Sequence, residues 1–69
     1  MEFHWIDGFQ IMVKIEDDTV VISGNEEGLR SLANHLNTLS DEKGIDHFHL
    51  DEFNSLEEGS KQLIVEKVD

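Results

Sequence analysis

The chain has 69 residues, with sixteen acidic against five basic side chains, a net charge of −11, no cysteine and no proline. That length holds one core at the size where burial is only marginally sufficient, so a single domain over residues 1–69 is expected. The missing cysteines exclude disulfides and thiolate metal sites, and the charge excludes nucleic acid and points to a positively charged partner.

Residues 9–16 alternate in the manner of a half-buried strand. Phe9, Ile11, Val13 and Ile15 share one face, and Gln10, Met12, Lys14 and Glu16 share the other. Asp17-Asp18 turns the chain, and the β-branched run over 19–23 supplies a hairpin mate. Upstream, Asp7-Gly8 is also a hairpin dipeptide, which would make residues 3–6 a short further strand. Asn25 suits a helix N-cap, with Glu26 and Glu27 at the positive end of the helix dipole. Leu29, Leu32, Ala33, Leu36 and Leu39 mark the apolar stripe of that helix. The helix should end at Lys43-Gly44, with Gly44 at C′ and Ile45 folding back on Leu39. Gly28 breaks the pattern. In the first turn it costs about 1 kcal/mol against alanine, so the sheet or a partner must approach closely there.

Residues 47–51 alternate again, with Phe48 and Leu50 opposed to His47, His49 and Asp51. Residues 61–68 read as a last strand, with Leu63 and Val65 on one face and Ile64, Glu66 and Val68 on the other. The expected fold is α+β and two-layer: an antiparallel four-stranded sheet with one helix on one face, in the order β-β-α-β-β. A spatial order 2-1-3-4 makes every neighbour antiparallel. The uncovered sheet face would carry Met12, Lys14, His47, His49 and Ile64, a docking surface or a dimer seam.

The acids cluster as Glu16-Asp17-Asp18, Asp41-Glu42, Asp51-Glu52 and Glu57-Glu58, all between apolar-patterned segments. Loops at the ends of a small sheet lie close together, so these clusters can merge into one negative field. The longest apolar runs are three residues, too short for a membrane span or a signal-peptide core. Met1-Glu2-Phe3-His4 has no basic stretch. A cytoplasmic protein without a membrane partner is expected.

His47-x-His49-x-Asp51 is the one cluster with a metallic or catalytic look. Alternate strand residues stand about 6.6 Å apart, so two histidines could share an ion, whereas residues four apart are separated by roughly 13 Å. Metal–ligand bonds are near 2.1 Å, so His47 and Asp51 cannot readily share one, and no third ligand is marked. No metal and no cofactor is expected. The serines have no glycine elbow, the carboxylate pairs have no apolar pocket, and no phosphate-binding loop is present, so the chain does not read as an enzyme.

Three stretches in order give a resemblance. They are Ile22-Ser23-Gly24-Asn25-Glu26-Glu27-Gly28-Leu29 running on through Leu32-Ala33-Asn34-His35-Leu36, then His47-Phe48-His49-Leu50-Asp51, then Leu56-Glu57-Glu58-Gly59-Ser60-Lys61-Gln62-Leu63-Ile64. Over residues 20–67 the chain resembles a family of small immunity proteins from bacterial polymorphic toxin systems. The resemblance implies a protein that binds and neutralises a cognate toxin. On matching positions the motif residues are Gly24, Asn25, Gly28, His35, His47, His49, Asp51, Gly59 and Ser60. The glycines, Asn25 and Ser60 have structural uses. His35, His47, His49 and Asp51 do not, which makes them the expected contacts, with Glu52 and Met12 beside them. A basic toxin fits the charge. Two alternatives stand: a structural or regulatory domain that forms a homodimer through its open sheet face, and a metal-binding domain built on His47 and His49.

Overall fold

A computed structural model describes residues 4–68. Strands β1 (Ile11–Glu16) and β2 (Thr19–Gly24) form an antiparallel hairpin, and helix α1 (Glu26–Asp41) follows. Strands β3 (His47–Leu50) and β4 (Leu63–Glu66) form a second antiparallel pair. The α+β class and the order β-β-α-β-β agree with the sequence reading. The single four-stranded sheet does not form, because the strands make two separate two-stranded sheets.

The predicted order 2-1-3-4 is corrected by what lies against the outer edge of β1. Segment 57–61, not β3, takes that place. The Glu57 N–H donates to Ile11 O (2.9 Å) and the Lys61 N–H donates to Val13 O (2.7 Å). The Val13 N–H in turn donates to Ser60 Oγ (3.1 Å). Both residue numbers rise together, so this segment runs parallel to β1, where an antiparallel neighbour was expected. Between those bonds the chain turns at Gly59 (φ +91°), where the Ser60 N–H donates to Glu57 O (3.0 Å). The turn interrupts the ladder and keeps the two hairpins from merging.

The core is Ile11, Val13, Leu39, Phe48, Leu50 and Leu56, with Trp5, Phe9, Leu32, Ile45, Leu63 and Val65 packed around it. The face assignments of β3 and β4 hold: Phe48 and Leu50 point inward, and Ile64 is 53% exposed. Ile15, expected on the buried face of β1, is 57% exposed because the hairpin runs on past the end of the core. The first strand begins at Ile11 rather than at residue 9, and the last spans Leu63–Glu66 rather than 61–68. Of the short strand expected over 3–6, Phe3 lies outside the described residues, and residues 4–6 form none.

Asn25 caps α1 as expected, with its Oδ1 accepting from the Gly28 N–H (2.7 Å). The same oxygen accepts from the Gln10 N–H (3.0 Å), and Asn25 Nδ2 donates to Gly8 O (2.9 Å). One side chain thus clamps the helix start to the strand leading into β1. Gly28 explains itself here: an added Cβ would stand 2.1 Å from Gln10 O, inside any permitted contact. This close approach fixes the rotation of the helix. Gly28, Ser31, His35 and Leu39 face inward, while Leu29 and Leu36 of the expected stripe are 50% and 44% exposed. The helix ends at Asp41, where the Glu42 N–H donates to Thr38 O (2.9 Å), so Gly44 (φ +91°) sits in a later turn and not at C′.

Candidate partner-binding surface

Period-two alternation in β3 sends His47 and His49 to the side opposite the core, and the register sets Glu66 across from His47 and Ile64 across from His49. These four form the outer face of the second hairpin. His47 Nδ1 lies 2.8 Å from Asp46 Oδ1. The hydrogen bond from His47, and then the charge of its ring, hold the Asp46 carboxyl below the usual carboxylate range. A hollow of about 370 Å³ opens beside them, lined by Asp46, His47, Ile64, Glu66 and Lys67.

His49 Nε2 stands between the Gln62 amide (2.7 Å) and Asp51 Oδ2 (3.3 Å). A neutral ring with a bare Nε2 accepts from Gln62, whereas a protonated ring donates to Asp51. Asp51 has structural work as well. Its Oδ1 accepts from the N–H groups of Phe53 (2.9 Å) and Asn54 (3.0 Å), and its carbonyl oxygen accepts from Leu56 (2.9 Å). This local turn swings Leu56 into the core. Glu52 is exposed, and its Oε2 accepts from the Gly59 N–H (2.9 Å), tying one acidic cluster to the turn beside β1.

The remaining members of the expected contact set lie elsewhere. Met12 is half-buried, with its sulfur accepting from the Ser60 hydroxyl (3.1 Å). His35, an expected contact, is 1% exposed and sits among the core side chains. Its Nδ1–H donates to Ser31 O (2.6 Å), and its ring meets Trp5 edge-on (centroids 4.1 Å apart) and Phe48 likewise (5.7 Å). Burial disfavours the imidazolium and lowers the His35 pKa, against the smaller raising effect of the Ser31 bond. The structure therefore sets His47, His49, Asp51 and Glu52 along one stretch of chain, His35 lines one hollow with His47 and His49, and Met12 lies at the edge taken by Ser60.

Sequence reasoning missed Ser31, which is fully buried and accepts the Ile6 N–H at Oγ (2.8 Å). It also missed the apolar exposure around the first hairpin: Ile15, Val20, Ile22, Leu29 and Leu36. Gly28 held the signal. If it faces the sheet, Leu29 and Leu36 lie about 100° and 80° around the helix from it, off the buried face. Among the described residues, no group of three or more His, Cys, Asp or Glu side chains is placed to hold a metal ion. No helix of the described residues is long and apolar enough to cross a membrane.

The model of Immunity protein 32 matches residues 19–68, well over half of the chain. The chain belongs to the Immunity protein 32 family. The match begins at the first residue of β2 and takes in the helix and the second hairpin, including every histidine from His35 onward. It agrees with the resemblance drawn from the three motif stretches. No curated protein and no solved structure matches the chain.

Proposed function

We propose that this member of the Immunity protein 32 family binds a cognate bacterial toxin in the cytoplasm and neutralises it as a protein ligand, without chemistry of its own. Membership of the family over residues 19–68 carries the reading. The net charge of −11 supports a basic toxin surface as its target. Three of the five cations are already engaged within the chain: Lys14 with Glu16 (3.7 Å), Arg30 with Glu26 (3.5 Å) and Lys67 Nζ with Glu42 O (2.8 Å). An ion pair cancels one acid with one base, so the excess of eleven negative charges remains, which favours rapid, steered encounter with a positive cleft. His47, His49 and Glu52 are the expected contacts that a partner can reach, and Asp51 orients His49 among them.

The test is binding to the C-terminal domain of the toxin encoded beside this gene, inactivated by substitution and followed by surface plasmon resonance, which reads the association rate. The complex should form, and its association rate should fall about tenfold or more between low and high salt. A complex indifferent to salt would remove electrostatic steering, and no complex at all would remove the toxin-binding reading.

A further inference from the structure

The two edges of the first hairpin meet different fates. In its register Glu16 and Thr19 flank a two-residue turn and exchange both ladder hydrogen bonds, as do Lys14 with Val21 and Met12 with Ser23. The alternate residues, Ile11, Val13 and Ile15 on β1 and Val20, Ile22 and Gly24 on β2, turn their N–H and C=O groups outward. On β1 the groups of Ile11 and Val13 are taken up by segment 57–61. On β2, no hydrogen bond from another described segment reaches Val20 or Ile22.

Those two residues also carry exposed apolar side chains, at 60% and 39%, on the face that continues the core. Leu29 stands next to the same strand, since a Cβ on Gly24 would lie 3.3 Å from Leu29 Cδ2. Leu36 follows two turns along the same flank of α1. A strand laid about 4.8 Å beyond β2 would pair with the backbone of Val20 and Ile22 and press alternate side chains against Ile22, Leu29 and Leu36. Backbone groups that no other described segment pairs with and an apolar shelf thus coincide on one edge.

The edge carries none of the usual protection. Residues 19–24 contain no lysine and no proline, and the ladder to β1 has no bulge. Charge decides the occupant. From Glu16 to Leu29 the chain has five acids (Glu16, Asp17, Asp18, Glu26 and Glu27) and no base, and they bracket β2 at both ends. The nearest cations, Lys14 and Arg30, are paired with Glu16 and Glu26. A second copy docked antiparallel along this edge would set Asp17 and Asp18 against the Glu26 and Glu27 of its partner, and so is repelled.

We infer that the outer edge of β2, together with Leu29 and Leu36, is a docking site for an extended strand of a basic protein, its inward residues apolar and its flanks bearing lysine or arginine. This rests on the toxin-binding reading and names the form in which the toxin is held.

The probe is the same inactivated C-terminal toxin domain. Ile22→Pro removes an N–H that points away from β1, so the hairpin should stay folded by circular dichroism. It should bind the domain about thirty-fold more weakly or worse, the loss expected of a central contact. Hydrogen exchange on the unaltered protein needs no variant: the Val20 and Ile22 amides should slow markedly when the domain is added. Unchanged affinity in a folded Ile22→Pro, or protection confined to the β3–β4 face, overturns the inference while toxin binding stands. A wild-type chain that ignores the domain overturns both. A homodimer at micromolar concentration that Ile22→Pro dissolves also overturns it, because the occupant is then a second copy.

Discussion

The two hairpins contain similar strands and make opposite use of them. β1 and β2 are six residues each and join through two residues, yet half of their inward face is bare: Ile15, Val20 and Ile22 are exposed. β3 and β4 are four residues each and are joined by a long irregular connection, yet that connection closes the molecule. It delivers Leu56 to the core, Ser60 and Lys61 to the edge of β1, and the Asp51 turn that holds both in place. Regularity and structural importance are therefore uncoupled here. The irregular connection is packed into the core and onto β1, whereas the regular hairpin gives Ile11 and Val13 to the core and leaves Ile15, Val20 and Ile22 exposed.

The sharpest way to break this comparison is to truncate one side chain in each half. Leu56 sits in a loop and is 4% exposed, so Leu56→Ala should cost about 2–5 kcal/mol. In so short a chain that can unfold the protein at room temperature. Ile15 sits in a regular strand with the core alternation and is 57% exposed, so Ile15→Ala should stay within about 0.5 kcal/mol. Urea titrations followed by circular dichroism measure both. Equal losses would mean that the first hairpin is bound into the core just as firmly as the second.

Gly28→Ala should come next. Alanine improves helix propensity by about 1 kcal/mol, but its Cβ would meet a backbone oxygen that cannot step aside without breaking the Asn25 clamp. Against a backbone oxygen this near, overpacking should cost the upper end of its usual range, about 3 kcal/mol, so a net loss of about 2 kcal/mol is expected. For a chain of this size that lowers Tm by roughly 8–16 °C. An unchanged or higher Tm would show that the helix can retreat from Gln10.

The hairpins, the helix with its N-cap, and the inward faces of β3 and β4 are all legible in the sequence. Each is set by local alternation or by capping chemistry, which neighbouring residues determine. The rotation of α1 is not legible in the same way. Five apolar residues suggest a stripe through Leu29 and Leu36, but the Gly28 approach and the Asn25 clamp involve residues about fifteen to twenty positions away on the strand side. His35 is misplaced for the same reason: on that stripe it reads as a polar flank, and only the true rotation turns it inward. The single sheet fails because segment 57–61 carries no strand pattern, while its Ser60 hydroxyl and two N–H groups do the pairing. Among the proposed contacts, the outward placement of His47 and His49 is legible from alternation, whereas the β2 edge that no other described segment pairs with depends on which segment ends up beside β1.

His35 makes the core sensitive to pH. Its folded-state pKa is depressed by burial, so the unfolded chain binds the extra proton more readily. The stability gained from the neutral ring is complete above the ordinary histidine value of about 6.5 and is lost as pH falls through and below it. The slope from this one residue is at most about 1.4 kcal/mol per pH unit. Urea midpoints taken between pH 7.5 and 5 should fall in the wild type. His35→Phe should flatten that profile even if it shifts the absolute stability. A profile of the same slope in both would place the proton uptake elsewhere.

A small gain in stability, rather than a loss, is expected at the tip of the first hairpin. Asp17 and Asp18 both adopt positive φ (49° and 67°), the conformation a two-residue hairpin turn demands and one that favours glycine or asparagine. Aspartate tolerates it at a cost, and three adjacent acids, Glu16 included, repel one another as well. Asp18→Gly should therefore stabilise the hairpin, by about 0.5–1 kcal/mol after allowing for the extra freedom of glycine in the unfolded chain. Thermal unfolding would show this as a rise of a few degrees in Tm. If the acids at this tip steer a basic partner toward β2, the same substitution should slow association with the toxin domain at low salt and matter little at high salt. A gain in Tm without any change in low-salt association would leave the turn strained with no binding role, and the steering would then have to come from Glu26 and Glu27 at the other end of the strand.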